Sequence, residues 1–402
     1  MKNKNLIILT ESYPFSGGEQ FLIREYFYVA KHFEKVYVFP AKVSTSLNPL
    51  LPENLIIIDD LSKEIVNSKL DYIRNFIPIL SVLFIELKNK KRRNAFSKRF
   101  SYHLSEILLA IKSEKIFNKK LQQIGAEKNT TFHSAWMNKH ALMLSIAKFK
   151  NHISEFTFRV HGYDIFLERR ENNYMPFEVF IYKHAKHIIL NSKYSFNYKK
   201  AQNIYSEKLR LNYFGIENNE NSPFKDSEVF VLVSCSDIIP LKRVELIAEA
   251  LSFVTYKLKW IHFGDGEKMK DITRLCATLP SNVEYELKGK TSNEEIMEFY
   301  RGNMINLFIH VSRTEGLGFA LVEAQSFGIP ILACAAGGVV DVVNEETGKL
   351  LPIQITSKEL SEEILGFKES KLNEKEFRKT VKSFFNKTFS IEKTNSNFVK
   401  II

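Results

Sequence analysis

The chain has 402 residues, 45% of them hydrophobic and 26% charged, which is the composition of a folded globular protein, excludes a wholly disordered one and makes two domains the natural expectation. Its 57 basic and 46 acidic residues leave a formal net charge of +11, a balance that favours phosphorylated ligands, anionic headgroups or nucleic acid without choosing among them. Three widely spaced cysteines, Cys235, Cys276 and Cys334, argue against a disulfide framework or a zinc site and suit a reducing compartment.

Along the chain, the first apolar run, residues 6–9, is too short for a signal-peptide core and lacks a small-residue cleavage site. The longest apolar stretch, 76–87, carries Glu86 and falls short of the ~20 residues that span a bilayer. The expected location is therefore cytoplasmic. Strands are expected at 5–10, 35–39, 130–133, 156–160, 187–190 and 210–213. After the polar, turn-forming segment 218–223 the pattern restarts, with strands at 229–234, 258–263, 282–287, 305–310 and 330–334. Helix-length amphipathic segments lie between them, so the units read as βαβ and the sheets as parallel. The expected fold class is α/β, with two doubly wound Rossmann-like domains facing across a cleft. Their bounds are set at 1–222 and 223–385, with a tail, 386–402, returning to the first domain.

Residues 61–125 break this alternation and read as helical. They hold Lys88, Lys90, Lys91, Arg92, Arg93, Lys98 and Arg99 with no acid between them. Apolar residues beside a basic cluster suit a helix lying on an anionic membrane. A solvated charged face beside a core helix explains the same pattern equally well.

The segment 312–324 is the most informative. It follows an expected strand and runs into a helix, with Gly316 and Gly318 allowing close backbone approach and the helix start offering amides to an anion such as a diphosphate. Glu315 in the loop and Glu323 inside the helix then stand where carboxylates can accept vicinal hydroxyls of a ribose or hexose. Two glutamates eight apart would by themselves be a coincidence; the glycines and the strand–loop–helix setting strengthen the functional reading. Gly289-Lys290-Thr291 is not a P-loop, since Glu284 occupies the required first glycine position, and Gly264-Asp265-Gly266 lacks the third glycine of a dinucleotide fingerprint, with Met269 in its place. No HExxH, GxSxG or cysteine–histidine metal cluster is present in the sequence.

With Lys288-Gly289-Lys290, Tyr300, Glu315, Glu323, Gly337-Gly338-Val339-Val340-Asp341 and Glu346-Thr347-Gly348-Lys349 in order, residues 282–351 resemble the donor-binding half of glycosyltransferase family 4, retaining enzymes of GT-B fold. Ser16-Gly17-Gly18-Glu19 resembles the family's N-terminal glycine loop, and Arg159-Val160-His161-Gly162-Tyr163-Asp164 its His-Gly-x-Asp segment. The loop 234–243 resembles the family's phosphate-binding loop, which commonly has an arginine and, five residues later, a lysine. This chain keeps Lys242 but has Asp237 at the arginine's place, and Arg243 is the candidate substitute cation.

The resemblance implies transfer, with retention, from a nucleotide diphosphate sugar to a saccharide acceptor, lipid-linked in surface polysaccharide assembly at the inner face of the cell membrane. It implies Glu315, His161 and Lys242 as catalytic residues. Gly17, Gly18, Arg243, Lys288, Gly316, Leu317, Gly318 and Glu323 are implied to bind substrate, with no metal and no cofactor; nucleic acid is not expected as a partner, since no recognisable nucleic-acid module accompanies the positive charge. A sugar-nucleotide epimerase or phosphorylase on the same architecture, and a non-catalytic nucleotide-sugar-binding partner, are the competing readings.

Overall fold

The computed structural model describes residues 5–15, 19–48, 50–62, 76–126, 129–167 and 170–402. The chain divides into two compact units, the first made of 1–191, 195–212 and 395–402 and the second of 192–194 and 213–394.

Among the described residues, the first unit is built on a parallel sheet of seven strands. In chain order these are β1 (Asn5–Thr10), β2 (Lys35–Pro40), β3 (Leu55–Ile57), β4 (Thr130–Ser134), β5 (Thr157–Val160), β6 (His187–Leu190) and β7 (Leu209–Leu211). Their spatial order is β3-β2-β1-β4-β5-β6-β7. Central strands of such a sheet are covered on both faces, so they are written as continuous apolar runs rather than alternating ones. Leu6, Ile7, Ile8 and Leu9 of β1 are accordingly all fully buried. The order reverses between β1 and β4, where the loops leaving their carboxyl ends part to opposite sides.

The second unit repeats the plan with β8 (Phe230–Cys235), β9 (Leu258–Phe263), β10 (Val283–Leu287), β11 (Leu307–His310), β12 (Ile331–Cys334) and β13 (Gly348–Leu351). These are ordered β10-β9-β8-β11-β12-β13, all parallel, with the reversal between β8 and β11. Both units thus have the doubly wound Rossmann-like topology expected of the sequence. Two strands went unforeseen, β3 and β13. They are three and four residues long, and β13 opens on Gly348 at φ +155°, where a Cβ would lie 1.8 Å from the Ile331 carbonyl oxygen.

The polar segment 218–223 does not part the two units. Ser222 N–H donates to Phe327 O at 3.0 Å, the Arg378 guanidinium donates to Ser222 Oγ, and Ile216 pairs with Ser390. These bonds place the division at Asn212/Tyr213, ten residues before the sequence-based boundary at 222. The last eight residues belong to the first unit. There His187 Nδ1–H donates to Ile401 O at 2.9 Å, and the Phe398 ring lies under the Arg159 guanidinium at 4.5 Å.

Of the segment 61–125, the described residues from 76 onward form the helices Phe76–Lys88, Lys90–Ser97 and Phe100–Ile124. Asn89 starts the second helix by accepting from Lys91 N–H and Arg92 N–H, and Gly125, at φ +65°, ends the third, the usual cap chemistry at each end.

Arg159, 1% exposed, donates through Nη1 to both oxygens of buried Glu25, at 3.1 and 2.8 Å. Removing one member of a buried ion pair strands the other charge, at a typical cost of about 3–5 kcal/mol. Arg159→Met should therefore lower unfolding free energy by about that much in urea melts, and Arg159→Met/Glu25→Leu should recover most of the loss.

Candidate functional site

In doubly wound sheets ligands gather at the carboxyl ends of the strands flanking the reversal. In the second unit those are β8, which ends at Cys235, and β11, which ends at His310. The loop after β8 carries Lys242, and the loop after β11 carries Glu315. The two are tied together directly, since Arg313 N–H donates to Leu241 O at 2.9 Å.

Glu315 Oε1 accepts from Lys242 Nζ at 2.5 Å and from His310 Nε2 at 2.8 Å. All three side chains are largely removed from solvent, at 12%, 19% and 6% exposed respectively. Burial pushes the Glu315 carboxyl up. The hydrogen bond and charge of His310, with the ammonium of Lys242, outweigh burial and hold it at about 2. The carboxylate is therefore ionised throughout the physiological range, fixed by two donors on one oxygen.

Glycines hold both loops in place by close backbone approach. Gly338 N–H donates to Glu315 O at 3.1 Å, and a Cβ on Gly338 would lie 1.9 Å from the Gly316 carbonyl oxygen. The Gly264-Asp265-Gly266 turn does the same for the other loop. Ile238 N–H donates to Asp265 O at 2.9 Å, and a Cβ on Gly264 would lie 1.9 Å from Ser236 O. Any side chain at Gly338 or Gly264 would displace the loop resting on it.

A Cβ on Gly316 would meet nothing within 4 Å, whereas Leu317 is 2% exposed and anchors the loop through its side chain. Gly318, at φ +90°, starts the helix Phe319–Ser326. Glu323 lies on that helix and accepts from Asn293 Nδ2 at 2.7 Å. It is part of the same locality as Lys242. The Cys235 thiol at the end of β8 is pushed up to about 12, first by burial, then by the Glu323 and Asp237 carboxylates, against the pull of Lys242.

Two sequence candidates are not brought to this cluster. Arg243 turns inward in a left-handed conformation, φ 52° and ψ 40°. Its guanidinium donates to Val311 O at 2.7 Å, to Ile353 O at 2.6 Å and to Cys334 Sγ at 3.2 Å. The cation expected to replace the missing arginine instead ties the segments after β8, β11 and β13 together. Lys288 lies past the end of edge strand β10 and pairs with Glu286 at 2.5 Å. Asp237 is exposed.

Two further residues at the site were not singled out from the sequence, His310 and Asn293. Only their positions hint at them: His310 closes an apolar strand five residues before Glu315, and Asn293 opens a helix.

In the first unit, His161 follows β5 and is 9% exposed. Its Nε2–H donates to Ala135 O at 3.0 Å, and its ring lies against Trp136, with centroids 3.9 Å apart. Burial, with the nearby Arg159 charge and against the Ala135 bond, lowers it to about 3, so the ring is neutral at physiological pH. Glu19 organises the surroundings. Its carboxylate accepts from the N–H groups of Glu11, Ser12 and Tyr13 at 3.1, 2.6 and 2.7 Å, and from the Trp136 indole. Gly17 and Gly18 lie outside the described residues. Among the described residues, no group of three or more His, Cys, Asp or Glu side chains could hold a metal ion.

Because the Glu315 carboxyl is lower folded (about 2) than its ordinary 4.5, its ionised form stabilises the native state. That contribution is complete above pH ~4.5 and is lost as pH falls towards 2, and it amounts to on the order of 3 kcal/mol. Urea unfolding of wild type and Glu315→Gln from pH 3 to 7 should show a stability gap that is flat above about pH 5 and narrows below 4.5.

Residues 215–384 match the family model described as glycosyl transferases group 1. The chain is 26% identical over 240 residues to an uncharacterized glycosyltransferase of Methanocaldococcus jannaschii, covering 58% of this chain and 64% of the relative. It is 28% identical over 152 residues to the sulfoquinovosyl transferase SQD2 of Arabidopsis thaliana, covering 35% and 29%. The chain thus spans less than two thirds of each of these relatives. Among solved structures it is similar to Anabaena Alr3699/HepE in complex with UDP-glucose, with TM-score 0.65, 16% identity and 98% of each chain covered. It is also similar to TarM, with TM-score 0.69, 11% identity and coverage of 99% and 98%. At these identities the likeness concerns fold, and the pair of Rossmann-like units is the GT-B fold of these neighbours. The stretch matching glycosyl transferases group 1 contains Lys242, His310, Glu315 and Glu323 together.

Proposed function

We propose that the protein is a glycosyltransferase that moves a glycosyl group from a nucleotide diphosphate sugar to a saccharide hydroxyl, with retention at the anomeric carbon. The observation that carries this reading is the buried Lys242–Glu315–His310 cluster at the reversal of the second sheet. The match to glycosyl transferases group 1 over the same residues supports it, as does the UDP-glucose named in the HepE complex.

In this reaction the bond from the anomeric carbon to the diphosphate breaks, and a bond to the acceptor oxygen forms on the same face. The acceptor's proton passes to the departing phosphate. Negative charge grows on the bridging oxygen, where the Lys242 ammonium and the amides at the start of helix Phe319–Ser326 are suited to stabilise it. Lys242 uses one of its three N–H bonds on Glu315, and the rest serve the diphosphate. On Glu315 both protein donors fall on Oε1, and Oε2 is assigned to a donor-sugar hydroxyl. Glu323, oriented by Asn293, is assigned to the ribose hydroxyls. His161, as a neutral imidazole, is assigned to the transferred sugar, and Gly17 and Gly18 to the donor phosphates. Arg243 contributes by fixing the loop that presents Lys242.

The acceptor is proposed to be lipid-linked, within surface polysaccharide assembly at a cytoplasmic membrane face. Helix Phe76–Lys88 exposes Phe76, Ile77, Leu80 and Phe84, with Ile77 at 70% and Phe84 at 67%. The helix that follows exposes Lys90, Lys91 and Arg93. Apolar side chains beside cations favour an anionic bilayer surface. No described helix is long and apolar enough to cross a membrane.

A panel of nucleotide sugars, scored for binding and slow hydrolysis, tests the donor. Glu323→Ala should weaken nucleotide binding about 10–100-fold, the loss of charge-assisted hydrogen bonds. Glu315→Ala should keep nucleotide affinity within a few-fold while lowering kcat about 100-fold or more. Wild-type activity in both variants would remove the site assignment. Separately, Lys90→Glu/Lys91→Glu/Arg93→Glu should lose sedimentation with anionic liposomes, and unchanged sedimentation would remove the membrane proposal.

A further inference from the structure

The first unit contains a cavity of about 360 Å³ at the carboxyl ends of β1, β4 and β5, within the ~300–1,000 Å³ range of small-molecule sites. We infer that it receives an uncharged acceptor segment bearing an apolar group beside its hydroxyls, as in an alkyl or aryl glycoside. The inference rests on the proposed glycosyl transfer for the role of the ligand, and on the cavity alone for its chemistry.

The depth of the cavity is apolar. Met137, Leu142, Met175, Phe177 and Ile181 line it, and each is 6% exposed or less. The mouth is polar, with Glu11, Glu106 and Asn138 beside the half-exposed Tyr102 ring. An amphipathic ligand therefore enters apolar end first, gaining from desolvation inside while its hydroxyls meet carboxylate and amide acceptors at the rim.

This mouth is already organised. Asn138 Nδ2 donates to Glu11 Oε1 at 2.6 Å, and Asn138 Oδ1 accepts His140 N–H at 2.9 Å. Trp136, on the same lining, is clamped between the Glu19 carboxylate and the face of His161. A lining held this way loses little freedom when a ligand arrives. The charge at the mouth selects against a phosphate. Glu11, Glu106 and Asp164 face Lys139 and Arg170, and Arg170 is paired with Asp164 at 3.4 Å. A phosphate carried by the acceptor would have to lie outside this cavity.

The chain has two tryptophans. Trp136 lines the cavity, whereas Trp260 is fully buried in the second unit's sheet and is the internal reference. Hexyl glucoside and methyl glucoside, each below micellar concentration, can be titrated against full-length protein by tryptophan emission, with calorimetry in parallel. Hexyl glucoside should bind at least about 10-fold more tightly than methyl glucoside, and its emission change should vanish in Trp136→Phe. Met175→Gln and Tyr102→Glu should each weaken the hexyl ligand at least several-fold. Tyr102→Glu changes an exposed ring, so its result does not depend on core packing.

Equal affinity for the two glucosides would overturn the inference. So would hexyl binding that survives both variants and is abolished by Phe84→Glu, since that result places the ligand on the exposed helix. UDP-sugar binding, measured on the same samples, separates the two claims. Loss of donor binding with intact hexyl binding would count against the transferase reading and leave the cavity's chemistry standing.

Discussion

A carboxylate withdrawn from water must be paired or it will take up a proton, and Glu315 is held in this position by Lys242 and His310. Burial alone would raise its pKa, and the two partners more than reverse that effect. The arrangement brings Lys242, from the loop after β8, and His310, from the end of β11, onto one oxygen of Glu315, and so ties the loop after β8 to the loop after β11. The positions of Lys242, Gly316 and the start of the following helix all depend on this contact and on the Arg313–Leu241 backbone bond beside it.

The loops are also supported from below by backbone packing. Gly338 and Gly264 bring two turns into direct contact with the loops carrying Glu315 and Lys242, at distances that no side chain would permit. Arg243 adds a third support, with every guanidinium nitrogen engaged inside the unit. Gly338, Gly264 and Arg243 therefore brace the loops without themselves being proposed to meet the donor. Adjacent Lys242 and Arg243 divide these two tasks, the left-handed backbone at Arg243 accompanying its inward turn. Among the described residues of the first unit, Glu19 has a corresponding part: one buried carboxylate gathers three backbone amides and an indole, and so fixes the Trp136–His161 stack.

Most of the strands were legible because buried parallel strands are apolar runs bounded by turn residues. β1, β6 and β9 fall on the expected residues. β3 and β13 escaped because three or four residues at the edge of a sheet carry too little pattern. The division between the units was misread at 218–223 for a different reason. A polar, turn-forming sequence looks like a linker, yet these residues spend their hydrogen bonds on Phe327 and Arg378. In the site, Glu315 and Glu323 stood out by their setting of glycines and helix start, and Lys242 only by the resemblance of loop 234–243 to a phosphate-binding loop. Arg243 could not be told from a phosphate ligand by spacing, because its inward turn onto Val311, Ile353 and Cys334 shows only in three dimensions. His310 and Asn293 were hidden for a similar reason, as a strand end and a helix start reveal their direction only in three dimensions.

The central claim is that the Lys242–Glu315 cluster receives the diphosphate and sugar of a nucleotide-sugar donor. A crystal structure of the protein with a bound UDP-sugar tests it most directly. The predicted result is a diphosphate oxygen within hydrogen-bond distance of Lys242 Nζ, amides near Gly318 on the same diphosphate, and ribose hydroxyls on Glu323. A donor bound with its diphosphate away from Lys242, leaving the Lys242–Glu315–His310 cluster untouched, would contradict it.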